Sequence, residues 1–317
     1  MPSRFHQRQR NRLRFSLAAG RCAQVALASA IIFACGGCQM FRQQGPVPKS
    51  MAESRQLSQR GLNAMERGDT ATAESLLAQA VKACPTDTEA RRQYAEALWQ
   101  HGDQTAAVVQ MEKLLAAAPD DPLLTVRTGE MALAMGRFDD ARRLANQTLD
   151  LNLNEPRAWA LRGRVEQAAG QFEPALADFH RSLEFSHDDR QLLFETAELY
   201  RKLNRPQRSL STLISLCETY GPGEEPQQVL YLEGLALSAL SRQEDAADAY
   251  TLALEHGPAT TELLYRLAEA QLAANKPDDC DRTLQQALTI DPNNAPCLAL
   301  KDRLQLASRR VNQLFQQ

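Results

Sequence analysis

The residues with the clearest potential for chemistry are Cys35 and Cys38, which are separated by two glycines. Two thiols at this spacing are typical of a redox pair or of half a zinc site. Either role requires a folded strand or helix that holds the thiols at a fixed distance. Here the pair closes an uncharged stretch from Cys22 to Phe41 and precedes a segment rich in Gln and Pro, which favours neither role.

The segment from Ile32 to Cys38 resembles a bacterial lipoprotein signal, in which small residues precede a cysteine that is lipidated and becomes the new amino terminus. The resemblance implies lipidation at Cys38, which follows two glycines, or at Cys35, which follows Ala34 but has the bulky Phe33 before that. An uncleaved signal anchor and a plain cleaved signal are the alternatives, since about twenty uncharged residues marginally span a bilayer.

The charges around this stretch predict export. Six arginines and no acidic residue precede it, whereas Arg42 and Lys49 follow it. This asymmetry keeps the amino end in the cytoplasm, so we expect an exported body in the cell envelope or periplasm, anchored to a membrane. We assign residues 1–38 to the export and lipidation region and residues 39–53 to a tether.

The composition of the chain restricts both fold and partner. Ala and Leu number 48 and 45, whereas Val and Ile together number 13, a balance that favours helices over strands. Beyond the six amino-terminal arginines the chain holds 30 basic and 39 acidic residues. An acidic body without a basic stripe argues against nucleic-acid binding.

Sequence motifs for catalysis are missing. There is no phosphate-binding glycine loop, no His-Glu-x-x-His and no Gly-x-Ser-x-Gly. The five histidines are scattered, and His180 and His187 have no acidic or thiol ligand set nearby. We therefore predict no catalytic residue, no metal and no cofactor. Of the cysteine pairs in the body, Cys280 and Cys297 are the best candidates for a disulfide, although a disulfide is not expected.

From Ser54 onward the sequence repeats at an interval of 34 residues, and each unit is small at positions 8 and 20 counted from its first residue. Position 8 holds Gly61, Ala95, Gly129, Gly163, Ala197, Gly234 and Ala268. Position 20 holds Ala73, Ala107, Ala141, Ala175, Ser209, Ala246 and Cys280. Small side chains let two helices cross closely. Position 15 is Gly, Asn or Ser, and Gly and Asn suit the turn that ends a helix.

This pattern resembles the tetratricopeptide repeat, a two-helix unit with Trp, Leu, Gly, Tyr, Ala, Phe, Ala and Pro at set positions. The fourth unit shows it best, with Trp159, Gly163, Gly170, Phe172, Ala175 and Phe179. The resemblance implies an all-α fold, an α-solenoid or right-handed superhelix of about seven helix-turn-helix repeats over residues 54–294. The units are 54–87, 88–121, 122–155, 156–189, 190–223, 227–260 and 261–294.

Two features interrupt or end the predicted array. Three extra residues, 224–226, follow the fifth unit and predict a longer loop. A capping helix over residues 295–317 is expected to cover the last apolar face, with Leu300 and Leu304 inward and charged residues outward. A dimerisation helix is the alternative for this segment.

The resemblance further implies a binding surface, because the first helices of such repeats line a concave groove with positions 5 and 9 directed into it. The candidate groove residues are Arg92, Phe194, Tyr231 and Tyr265 at position 5, and Glu96, Glu130, Arg164, Glu198 and Glu269 at position 9. This surface suits a protein or peptide segment with apolar side chains and some positive charge. Alternatively, the aromatic residues only cover seams between helices.

The predicted function is therefore a membrane-anchored scaffold for protein–protein interaction, without catalysis. Ser58 and Leu62 stand where chaperone-binding members of the family hold a carboxylate with Lys and Asn, so a chaperone-tail receptor is not expected. Two alternatives stay open: an accessory subunit that recruits polysaccharide or cell-wall enzymes, and a pilotin-like assembly factor for a pilus or secretion pore.

Overall fold

The computed structural model of the chain describes residues 48–314, and this part is 79% helical, with fifteen α-helices and no strand. Consecutive helices pack against each other in pairs along the chain, so the predicted all-α solenoid is confirmed. The lipidation candidates Cys35 and Cys38, and residues 1–47 as a whole, lie outside the described residues.

Seven helix pairs and one final helix make up the described part. The first helices of the pairs are α1 (Lys49–Glu66), α3 (Thr88–His101), α5 (Pro122–Ala134), α7 (Pro156–Ala168), α9 (Arg190–Lys202), α11 (Gln227–Ala239) and α13 (Thr261–Ala273). The second helices are α2 (Thr70–Ala83), α4 (Gln104–Ala117), α6 (Phe138–Leu151), α8 (Phe172–Phe185), α10 (Pro206–Cys217), α12 (Gln243–Glu255) and α14 (Pro277–Ile290). Helix α15 spans Ala295–Leu314.

Local sequence signals explain where these helices start. Five of the six first helices from α3 to α13 follow an Asp, Glu or Thr whose side-chain oxygen accepts a hydrogen bond from a backbone N–H of the first turn, as Asp121 does from Leu123 and Leu124. Such a cap satisfies donors that the helix itself leaves unpaired. The exception, α11, begins after Pro226, which lies at the end of the loop formed by residues 218–226.

The turn inside each pair requires a left-handed residue at position 15. All seven residues there have positive φ: Gly68, Gly102, Gly136, Gly170, Asn204, Ser241 and Asn275. Ser241 adopts φ of 60°, although this left-handed backbone conformation is energetically unfavourable for serine. The packing of α11 against α12 therefore imposes this turn on the weakest of the seven residues.

Close helix crossings explain the small residues at position 8. A Cβ on Gly163 would lie 2.5 Å from the Phe179 ring, and one on Gly234 would overlap the Tyr250 ring. Phe179 and Tyr250 both occupy position 24 of their units and are fully buried. In the three units with Ala at position 8, position 24 is Met or Leu. An aromatic residue at position 24 thus goes with glycine at position 8.

The hydrophobic core extends along the stack instead of forming one centre. Its clusters each join neighbouring units, and the largest combines residues of units 5, 6 and 7. The seven residues at position 20 are all fully buried, as their small size predicts. The closest approaches between helices two places apart join α1 with α3, α5 with α7, α9 with α11, and α13 with α15.

The described ends of the stack differ from the prediction in one respect. Helix α1 begins at Lys49, so residues 49–53, which we assigned to the tether, belong to the first helix. The reason is that no breaker follows Pro48, and the buried Ser54 fixes the helix by donating a hydrogen bond of 2.9 Å to Asp87. The predicted boundary was placed at the start of the repeat pattern, not at the proline.

Helix α15 covers the last pair as expected of a cap. Cys297, Leu300 and Leu304 are buried against α13 and α14, in one cluster with Cys280 and Leu284. Cys280 and Cys297 are free thiols in this cluster, so the pair forms no disulfide. None of the helices between residues 48 and 314 combines the length and the apolar character needed to cross a membrane.

Candidate functional site

The first helices present a face made of the exposed and half-buried residues at positions 2, 5, 6 and 9, whereas Val126, Leu161 and Leu232 at these positions are buried in the core. Residues three and four apart lie on the same side of a helix, so these four positions form a stripe. Ion pairs join the stripes of units 2 and 3, of units 3 and 4, and of units 4 and 5. We call this surface the first-helix face.

An arginine–carboxylate ladder links units 2, 3 and 4 across this face. Arg127 donates two hydrogen bonds of 2.7 Å to the carboxylate of Glu96 in the preceding unit. It also reaches Glu130 on its own helix at 3.3 Å, and Arg157 of the next unit binds Glu130 at 2.9 and 3.1 Å. Paired hydrogen bonds to one carboxylate are stronger and more directional than a single surface contact.

The ladder continues, more weakly, into unit 5. Nε of Arg164 donates to Glu195 at 2.8 Å, and Gln191 donates to the other oxygen of that carboxylate at the same distance. Arg92, by contrast, pairs only with Glu89 on its own helix and is exposed. The Arg92 contact lowers the pKa of Glu89 through its hydrogen bonds, while partial burial opposes the shift.

The aromatic residues lie on the face of units 5 to 7, and each is half-buried. Phe194 and Tyr231 pack against the core cluster of those units, and Tyr265 packs against the cluster under the cap. The Tyr231 hydroxyl donates to Glu262 at 3.4 Å, and the Tyr265 hydroxyl donates to Glu269 at 3.3 Å. The guanidinium of Arg266 lies 5.3 Å from the centroid of the Tyr265 ring.

These contacts show that the aromatic residues do two things. Their rings cover seams between units, which is the alternative that the sequence left open, and the hydroxyls of Tyr231 and Tyr265 hydrogen-bond to glutamate side chains. Partial burial raises the pKa of both Tyr231 and Tyr265, so the hydroxyls are neutral hydrogen-bond donors at ordinary pH.

A cavity of about 660 Å³ opens on the first-helix face between units 2 and 3. Arg92, Glu96 and Arg127 line it from the side, and Met111 and Leu114 of α4 close its inner end. At the mouth Leu123 is 60% exposed. The arrangement offers an apolar surface beside charged hydrogen-bonding groups.

Most acidic residues of the predicted groove already have cationic partners. Glu96 and Glu130 accept from Arg127 and Arg157, and Glu269 pairs with Arg266 at 3.3 Å. Within residues 48–314, Glu198 makes no hydrogen bond or ion pair, so it alone of the four predicted acids is available as an unpaired charge. The face therefore alternates in charge, which the column of acids by itself did not indicate.

Sequence reasoning missed Arg127, Arg157 and Glu195, which are as central to this face as the predicted residues. They occupy positions 6 and 2, whereas the prediction considered only positions 5 and 9. The signal was present, because positions 2 and 6 complete the same helical stripe. Reading all four positions together would have found the opposite charges that neighbouring units exchange.

The described residues contain no group of three or more His, Cys, Asp or Glu side chains arranged to hold a metal ion. Two of the thiols among them are also poorly suited to redox chemistry. Burial raises the pKa of Cys217 and that of Cys280 to about 11, which keeps both in the unreactive thiol form.

Comparison with known sequences defines the class of this repeat protein. Tetratricopeptide-repeat family models match residues 64–125, 98–165 and 262–294. The chain therefore contains tetratricopeptide repeats in these segments. No curated protein sequence matches it.

Solved structures share the fold at low sequence identity. One is YrrB, a TPR protein with an unusual peptide-binding site: the TM-score is 0.56 at 16% identity, over 61% of this chain and 97% of YrrB. Another is a tetratricopeptide repeat protein from Parabacteroides merdae, with a TM-score of 0.55 at 14% identity, over 80% of this chain and 99% of that protein.

Proposed function

We propose that this protein is an interaction scaffold that binds an extended or helical protein segment along its first-helix face and catalyses no reaction of its own. The observation that carries the proposal is the cavity between units 2 and 3, where the exposed Leu123 lies beside the arginine–carboxylate ladder. An exposed apolar residue next to oriented hydrogen-bonding groups is the usual composition of a peptide-recognition surface.

Two further points support this choice of face. Where helices two places apart along the chain contact each other, they are two first helices, or the last first helix and the cap. We expect such contacts in a stack that curves with its first helices on the inner side. YrrB, a relative in fold, is a TPR protein with a peptide-binding site. Tetratricopeptide repeats generally serve as non-catalytic scaffolds, and we extend that role to this chain.

The pairing of the acids changes the expected ligand. A ligand that is merely basic would have to compete with Arg127 and Arg157 for Glu96 and Glu130. We therefore expect a segment with aliphatic or aromatic side chains for the Leu123 region and the tyrosines, and with both charge signs to match the alternating ladder.

Site-specific crosslinking in the full-length protein tests the proposal. A photoreactive residue at position 123 should form a discrete adduct with another polypeptide in cells that make the protein. The matched control is position 109 on α4 of unit 2, where Val109 is also exposed but lies on a second helix. Equal labelling from both positions, or labelling from position 109 alone, would exclude the first-helix face as the binding surface.

We further propose that the body is exported and held at a membrane by its amino-terminal region. The proposal rests on the arginine-rich start, the uncharged stretch and the two cysteines of the sequence. Labelled palmitate should enter the wild-type protein and be lost on changing either Cys38→Ser or Cys35→Ser, depending on which residue is modified. A wild-type protein that takes up no label would end the lipidation hypothesis.

A further inference from the structure

Position 7 of the repeat carries a buried ion pair in unit 4. Arg162 of α7 donates hydrogen bonds of 2.7 and 2.8 Å to Asp178 of α8, and one of 3.3 Å to Asn146 of α6. Its guanidinium also lies 4.6 Å from the centroid of the Trp159 ring. The side chain of Asp178 is only 9% exposed, so this crossing of helices contains a fully partnered charge.

Unit 6 has a charge at the same position but no counterpart for it. Glu233 takes the place of Arg162, Ala249 takes that of Asp178, and Ile214 of α10 takes that of Asn146. Within residues 48–314 the Glu233 carboxylate makes no hydrogen bond and no ion pair. Arg242, the cation whose charge acts on Glu233, is itself bound to Asp245 at 2.7 Å.

An open recess lies over this unpaired carboxylate. It has a volume of about 360 Å³ and lies between the second helices α10 and α12, with Glu233 among its lining residues. Two aliphatic side chains at its rim remain exposed, Ile214 at 50% and Leu252 at 39%. Asp245 and Asp248 also line the recess, and Arg242 is the only cation among the described residues that do so, so this lining carries a net negative charge.

We propose that this recess, between α10 and α12, binds a lysine or arginine side chain of a partner polypeptide, with aliphatic neighbours of that residue packed on Ile214 and Leu252. The bound cation neutralises Glu233 and takes the place that Asp178 and Asn146 have beside Arg162 in unit 4. The signs of the two paired charges are reversed. Placing a charge in a partly dry site is costly unless it is paired, and no residue between 48 and 314 forms a hydrogen bond or an ion pair with Glu233. The flexible apolar stem of lysine or arginine matches the aliphatic rim.

This surface is separate from the first-helix face. Glu233 is two residues from both Tyr231 and Leu235 on α11, which places it on the opposite side of the helix. The stack can therefore hold one polypeptide on the first helices and a basic segment on the second helices. The recess does not depend on the first-helix face binding anything.

Two matched peptide pools test the proposal on the full-length protein. Each pool consists of nine-residue peptides with aliphatic residues on both sides of a fixed centre, which is lysine in one pool and norleucine in the other. We expect the wild type to bind the lysine pool at least tenfold more tightly. Glu233→Gln should abolish this preference, because it removes the charge and keeps the shape.

Two variants separate the recess from other acidic surfaces. Glu244→Gln removes one charge from the exposed side of the same helix pair and should leave the lysine preference intact. Ile214→Lys places a cation at the rim and should block the recess without touching the first-helix face. A thermal melt of each variant confirms that it is folded. Equal binding of both pools by the wild type, or a lysine preference that survives Glu233→Gln, would overturn the proposal.

Discussion

Units 4 and 6 are built on the same helix crossing but use opposite charges at its centre. Both have glycine at position 8 and a buried aromatic residue at position 24, whose ring leaves no room for a Cβ on the glycine. Unit 4 then satisfies Arg162 internally through Asp178, whereas unit 6 leaves Glu233 facing an open recess. The difference shows that position 7 of the repeat can stabilise the packing of helices in one unit and stay accessible to a ligand in another.

The largest effect is expected where the internal pair is broken. Arg162→Ala leaves the carboxylate of Asp178 buried without a cation, and we expect a loss of about 3 kcal/mol in the free energy of unfolding. Urea denaturation of the full chain measures it. Arg181→Ala, which breaks an exposed pair with Glu184, should cost less than about 1 kcal/mol.

A second substitution tests whether the lost stability of Arg162→Ala really comes from Asp178. Adding Asp178→Ala gives unit 4 the alanine that unit 6 has at that position, and should recover most of the stability because no unpaired charge is then left buried. An additive loss in the double variant would contradict this account of unit 4.

The crossing common to both units predicts the next largest effect. Gly234→Ala places a methyl group against the Tyr250 ring, and Gly163→Ala does the same against Phe179, so each should cost about 2 kcal/mol. Combining Gly234→Ala with Tyr250→Leu recreates the Ala and Leu pair of unit 5, Ala197 with Leu213, and should restore part of the loss. Melting curves that do not change on Gly234→Ala would refute the close approach.

A smaller effect of opposite sign is expected at Glu233. Glu233→Leu gives unit 6 the residue that unit 7 has at position 7, the buried Leu267, and should raise the free energy of unfolding by about 1 kcal/mol. Chemical denaturation at neutral pH measures the gain. A less stable variant would mean that the carboxylate has a structural partner after all.

The smallest predicted effect depends on pH. Burial raises the pKa of Glu233 above its ordinary value of 4.5; Arg242 opposes this shift and Glu225 adds to it. The folded protein thus takes up the proton before the unfolded chain does, and stability falls as pH rises from about 4.5 through the folded pKa. Glu233→Gln should therefore be more stable than the wild type at pH 7, and this difference should disappear near pH 4.5. A difference that is constant with pH would contradict the raised pKa.

The repeat itself could be predicted from the sequence because backbone geometry restricts its key positions. Only small residues fit positions 8 and 20, and a left-handed turn favours Gly or Asn at position 15, so these types recur every 34 residues. The helix starts at residues 88, 122, 156, 190, 227 and 261 coincide with the first residues of units 2 to 7. Helix α1 escaped this reasoning because its first turn precedes the periodic pattern.

The candidate site was predicted only in part. Positions 5 and 9 lie on the first helices, and residues such as Glu96 and Tyr265 are part of the first-helix face. Their electrostatic state could not be predicted, because it depends on arginines about thirty residues away in the next unit, such as Arg127 for Glu96. Pairing between units is a property of the stack, not of one column.

The sequence alone determined the repeat length, the helical class and the places where helices must cross closely, since steric limits act on each residue type wherever it recurs. Only the tertiary structure decided which charges are neutralised and which stay available. Arg162 and Glu233 occupy the same repeat position, and their different environments arise from side chains that two other helices bring to them. Which charges pair depends on the distance between them, and that distance is set only when the units stack.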